Sequence, residues 1–231
     1  MRNLDQQTKK TARVRSLYVP ALVLACAFGT VTNAAAQRIT SPATPTLITP
    51  PAGNVAFLVG HASGTQGYVC LPTSVGASTA SWTVNPARPE ATLFQRFFGQ
   101  DFQIITHFLS PDINHNDAAP NPLPFGSATW QSSLDSSRVW AQVLHKNAIS
   151  PSPDIASCPN AGSIACLLLQ SIGSLQGPTG GNILSKTTFI QRLNTNGGSA
   201  PTAGCFTSAD VGNQALVPYT ADYVFFRKAN K

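Results

Sequence analysis

Acidic side chains are scarce here: 9 Asp and Glu in 231 residues, with Glu90 the only glutamate, and charged residues of both signs reach just 10%. Glycoside hydrolysis needs two carboxyl groups facing one bond, and no two acids in this chain are neighbours. There is no G-x-S-x-G, so the strained elbow that presents a nucleophilic serine is missing. There is no C-x-x-C and no H-x-H or H-x-x-x-H spacing of the kind that gathers a zinc ion. A nicotinamide site needs G-x-G-x-x-G between a strand and a helix. The nearest approach, Gly60-His61-Ala62-Ser63-Gly64-Thr65-Gln66-Gly67, has the wrong spacing and leads into a strand. No cofactor is therefore expected. Long apolar runs are missing too: none approaches the roughly 20 residues of a membrane-spanning helix.

What is present begins with a leader. Arg2, Lys9, Lys10, Arg13 and Arg15 outweigh Asp5, an apolar run covers 17–28, and Asn33-Ala34-Ala35-Ala36-Gln37 supplies an A-x-A site. This pattern reads as a signal peptide over 1–36, cleaved after Ala36, and points to a secreted or periplasmic protein. The stretch Val23-Leu24-Ala25-Cys26 gives an alternative, a lipoprotein anchored through Cys26. The whole chain carries 15 basic and 9 acidic residues; the leader takes five and one of these, leaving ten and eight. The excess of positive charge thus belongs mostly to the leader. Beyond it only Arg227, Lys228 and Lys231 cluster, so a nucleic-acid-binding face is not expected.

Cysteine usage fits export. Four of the 5 cysteines follow the leader: Cys70, Cys158, Cys166 and Cys205. An even count in an exported chain reads as a disulfide framework, with three possible connectivities. Cys158 and Cys166 flank a turn-rich loop whose ends can meet. We pair them, which leaves Cys70 with Cys205.

The remainder is rich in Gly, Pro, Ser and Thr, as suits short strands and many turns. Residues 37–50 form a Pro/Thr-rich lead-in, read as an extended strand or linker. Strands are expected over 54–61, 64–70, 81–84, 90–94, 103–109, 128–133, 138–145, 187–195 and 217–226, with a turn at 64–67. The apolar run 165–172 fits either a buried strand or a helix. The reading is one all-β domain over 51–229, a sandwich or barrel with long loops and two disulfides; a β-trefoil-like fold is the alternative.

Several segments resemble a family of secreted bacterial and fungal proteins known only as a domain of unknown function. They are Gly64-Thr65-Gln66-Gly67-Tyr68-Val69-Cys70, Trp130 with Asp135-Ser136-Ser137-Arg138-Val139, Phe189-Ile190-Gln191-Arg192-Leu193-Asn194-Thr195-Asn196-Gly197-Gly198-Ser199-Ala200-Pro201, Ala203-Gly204-Cys205, and Pro218-Tyr219-Thr220-Ala221-Asp222-Tyr223. The family pattern has Asp-Gly-Ser where this chain has Asp135-Ser136-Ser137. Some fungal members carry a malate dehydrogenase label. The resemblance implies an exported domain without an established activity.

Candidate site residues are few. Gln191, Arg192 and Asn194 end a strand, and Arg192 can fork onto a carboxylate or phosphate; its structural alternative is an ion pair with Asp222 or Asp135. Trp140 alternates out of phase with Val139, Ala141 and Val143, which places it on the outer face. His107 and His115, either side of a loop with Asp112 and Asp117, are weak metal candidates. Trp82, Trp130, Tyr68, Tyr219 and Tyr223 are aromatic enough to stack on sugars, with core packing as the alternative. The function these features favour is a non-catalytic binding or surface-associated module, with a glycan or cell-envelope component as partner. The alternative is an extracellular hydrolase or metal-dependent enzyme.

Overall fold

The structure, a computed structural model, describes residues 39–40, 43–112, 126–144 and 163–229, with the backbone alone at 85–89. The chain divides into two compact units, 1–36 and 37–231, and everything described belongs to the second. The leader with its cleavage point and Cys26, as well as His115, His145 and Cys158, lie outside the described residues.

Among the described residues the strands are β1 (Asn54–Pro72), β2 (Ala80–Phe97), β3 (Gln100–Ser110), β4 (Ser127–Ser132), β5 (Arg138–Val143), β6 (Leu167–Leu175), β7 (Phe189–Gly197) and β8 (Gln214–Lys228). Each pairs antiparallel with its neighbours in sequence, and β8 returns to pair with β1, closing a barrel. The barrel reading therefore holds. A two-sheet sandwich and a trefoil do not, because this one sheet meanders around and meets itself without an edge.

Two expected breaks are absent. Residues 54–61 and 64–70 form the single strand β1, and 81–84 and 90–94 the single strand β2. Gly64, expected to turn the chain, instead sits where two strands press together: a Cβ there would stand 2.1 Å from the Glu90 carbonyl oxygen. The irregularity appears as a bulge, with the β2 chain between Val84 and Pro89 facing Gly67. The undecided run at 165–172 enters strand β6.

Side-chain alternation sorts residues to the two faces of the wall. On β8, Tyr219, Ala221, Tyr223 and Phe225 point into the barrel and pack with Leu93, Ile105, Trp130, Val139 and Ile190. Val224 and Phe226 point outward. There they meet the lead-in, which is no free linker: a short 3-10 turn, Thr46–Ile48, lies across the outside of β6, β7 and β8. Ile48 is fully buried among Leu168, Phe189, Leu193 and Phe226, which contributes about 2 kcal/mol. Gln191 donates from its side-chain amide to the Ile48 carbonyl, so the strap is also tied by hydrogen bonding.

Cys70 and Cys205 form the expected disulfide, with Cα atoms 5.5 Å apart and a sequence separation of 135. In the chain-entropy model a loop of that length contributes about 4–5 kcal/mol. Cys166 is fully buried and is not a free thiol; its expected pairing with Cys158 falls outside the described residues.

The end of the barrel opposite the disulfide is shut by the β4–β5 turn and the loop after β6. Asp135 links them, accepting from the Ser137 amide and hydroxyl and from the Ile183 amide. Burial opposes ionisation of Asp135, but these hydrogen bonds outweigh it and hold the carboxyl below the usual range. Ser136 has a φ of 59°, a left-handed conformation that glycine adopts without strain. Gly177 lies against the turn, where a Cβ would stand 1.8 Å from the Asp135 carbonyl oxygen. Substitutions in this closure should therefore move stability in opposite directions. Gly177→Ala is expected to cost about 2–4 kcal/mol and Ser136→Gly to add about 0.5–1 kcal/mol, both read by urea unfolding. Equal stability of the two variants would show that the turn and loop are not anchored to each other.

Candidate functional site

Odd-numbered strands run toward one end of the barrel, where the described residues line a cavity of about 640 Å³. It exists because inward positions that larger side chains would fill carry Ala128 and Ala141. Its walls are largely apolar, with Leu109, Val143, Leu167, Leu169 and Ile164 among them. Deeper in, Leu93, Ile105, Val139 and Phe225 pack the barrel solid.

A small set of polar groups faces this apolar space. His107 on β3 is buried, and its ring stacks on Trp130 of β4 at 4.2 Å between centroids and 7° between planes. Its Nδ1 lies 2.9 Å from the Thr129 carbonyl oxygen. A carbonyl only accepts, so Nδ1 carries the proton and the neutral ring keeps its lone pair on Nε2. Burial pushes the imidazole down to about 4; the bond to Thr129 opposes this, and the charge of Arg192 adds to it. Tyr68 donates to the Gly198 carbonyl at 2.6 Å, and the hydroxyls of Tyr219 and Tyr223 are 3.0 Å apart. Burial raises the Tyr68 and Tyr219 hydroxyls above their ordinary range, while Arg192 pulls the other way. The Trp130 indole N–H is buried and has no hydrogen-bond partner among the described residues.

Arg192 lines the same cavity from β7. Its Nε donates to the Ala165 carbonyl at 3.0 Å. Neither expected acid pairs with it. Asp222 faces outward and accepts from His61 Nδ1 at 2.6 Å and from Asn194 at 2.7 Å, while Asp135 serves the closure described above.

The structure thus separates the residues grouped by sequence. Arg192 points into the barrel. Gln191, one position away, points outward and holds the strap. Asn194, with φ 49° beside a bulge in β7, joins His61 and Asp222 in an outer cleft of about 490 Å³ with the Arg96–Asp101 ion pair. Trp140 is on the outer face, as alternation requires, but it is buried against Gly173, where a Cβ would stand 2.4 Å from the indole. Trp82 bonds the Ala203 carbonyl away from the cavity. His107 reaches the cavity, whereas His115 lies outside the described residues. Among the described residues no three His, Cys, Asp or Glu side chains are grouped to hold a metal ion. The residues missed by sequence reasoning are Ala128 and Ala141. Their signal was small size at inward-facing strand positions.

The His107 environment has a measurable consequence. Its folded value of about 4 lies below the ordinary 6.5. As pH falls, the unfolded chain therefore takes up this proton first. The stability gained by keeping the ring neutral is complete above about pH 6.5 and drains away toward pH 4, by at most about 3 kcal/mol. Wild type should lose more stability between pH 7.5 and 4.5 than His107→Gln, by about 2–3 kcal/mol in urea unfolding. Parallel losses in both proteins would refute the assignment.

No curated protein and no solved structure matches the chain. Over residues 51–227 the chain matches the family described as "Protein of unknown function (DUF3455)", and it belongs to that family.

Proposed function

We propose that this domain is an exported, non-catalytic binding module that takes one small, largely apolar molecule into the open end of its barrel. The observation that carries this reading is the cavity of about 640 Å³ lined by Ala128, Ala141, Leu167 and Leu169. Closed barrels of eight strands either fill their interior with side chains or leave room for one small ligand, and this volume falls in the range of small-molecule sites. A few convergent polar groups in apolar walls are the usual means of orienting a bound molecule. The leader pattern and the Cys70–Cys205 bridge support the exported setting.

The hydrolase or metal-dependent alternative, drawn in the sequence from His107, His115 and Arg192, has a second polar grouping to consider, the outward His61–Asp222 pair. The carrier reading is preferred because the apolar, concave surface is inside the barrel and the pair is on its outer wall. Apolar walls also favour an apolar guest over a glycan for this cavity.

Titration with N-phenyl-1-naphthylamine, a neutral dye that brightens in apolar surroundings, tests the proposal. Saturable one-to-one binding is expected. Filling the space by Ala128→Leu with Ala141→Leu should weaken it about tenfold or more at unchanged far-ultraviolet circular dichroism. Binding that never saturates, or that ignores both substitutions, would overturn the carrier reading.

A further inference from the structure

We infer that the molecule held in this cavity bears a single anionic, carboxylate-type head, and that the guanidinium of Arg192 receives it. This rests on the cavity reading and adds the chemical class of the ligand.

The argument starts from charge. An arginine stays ionised in a protein, and a cation among apolar walls is costly unless an anion or acceptor oxygens answer it. The single bond from Nε to Ala165 leaves both terminal NH₂ groups of Arg192 without a partner among the described residues. The other described acids are committed elsewhere: Asp222 to His61 and Asn194, Asp135 to the closing turn, Asp101 to Arg96, Asp112 to Arg138, and Asp210 to its own loop. Glu90 is also engaged. The described residues therefore bring a forked cation to an apolar chamber and supply no carboxylate to match it.

A second observation agrees. The Trp130 indole N–H, in a side chain 1% exposed on the same cavity, is likewise unmatched. Both unmatched groups are donors, so the polar end they ask for is rich in acceptor oxygens. Among the described residues only one cation is available to it: no Lys and no other Arg lines the cavity, and the buried His107 ring is neutral near pH 7. One fixed positive charge matches a monoanion better than a phosphate dianion. The planar fork of guanidinium also fits the two oxygens of a carboxylate.

The test displaces N-phenyl-1-naphthylamine at pH 7.5 with decanoate, decan-1-ol, decylammonium and decyl phosphate. Decanoate is expected to bind about tenfold tighter than decan-1-ol, with decylammonium weakest. Arg192→Gln should bring decanoate down to the level of decan-1-ol and leave decan-1-ol unchanged. Arg192→Lys, which keeps the charge without the fork, should fall between. Dye binding by each variant confirms that its cavity is intact; where Arg192→Gln does not fold, the decanoate-specific loss in Arg192→Lys decides. Decanoate no tighter than decan-1-ol, equal weakening of both by the substitutions, or preference for decyl phosphate would overturn the head-group assignment while leaving the cavity reading in place. Failure of decan-1-ol and dye alike would overturn both.

Discussion

The pairing of β8 with β1 is the constraint on which the rest depends. It runs nearly the full length of both strands, from Asn54 opposite Lys228 to Val69 opposite Gln214. Without it the meander would be an open sheet with two exposed edges and two ordinary faces. With it, one face becomes an enclosed interior. Every second side chain must then either fill that interior or leave it empty, and the small residues at 128 and 141 leave it empty near one end. The cavity, the desolvated His107 and the inward placement of Arg192 all follow from closure.

Much of the architecture was legible because its causes are local. Alternation placed the β4–β5 hairpin, put Val139, Ala141 and Val143 on one face, and turned Trp140 to the other. At the end of β7, Gly197 and Gly198 adopt positive φ, at 75° and 80°, conformations open to glycine. The extent of β1 and β2 was not. Gly64 looks like punctuation in one dimension, and its true reason, the close passage of β2, exists only once the strands are paired. Sandwich and barrel are likewise the same string of strands until the first and last are known to meet.

The site was legible residue by residue but not as an arrangement. Gln191, Arg192 and Asn194 are near neighbours in sequence, so they invite a common role. Period-two geometry sends Arg192 inward and Gln191 outward, and a bulge turns Asn194 toward Asp222. Gln191 became structural because residues 43–50 pack over it, which their composition gave no reason to expect. Alanine positions carry no chemistry of their own. Their meaning is the space they leave, and space is a property of all the strands together.

The disulfide lies at an informative place. Cys70 is near the end of β1, and the backbone there is also bonded to the chain ahead of β8, through the Cys70 amide to Asn213 and the Gly212 amide to Cys70. The covalent link and these bonds act together as a clasp on the upper end of the seam where first and last strands meet. A clasped seam resists unzipping from that end. The bridge thus secures the barrel at the end where the described interior is widest, so the packing of the cavity walls there is tied to the redox state of two sulfurs.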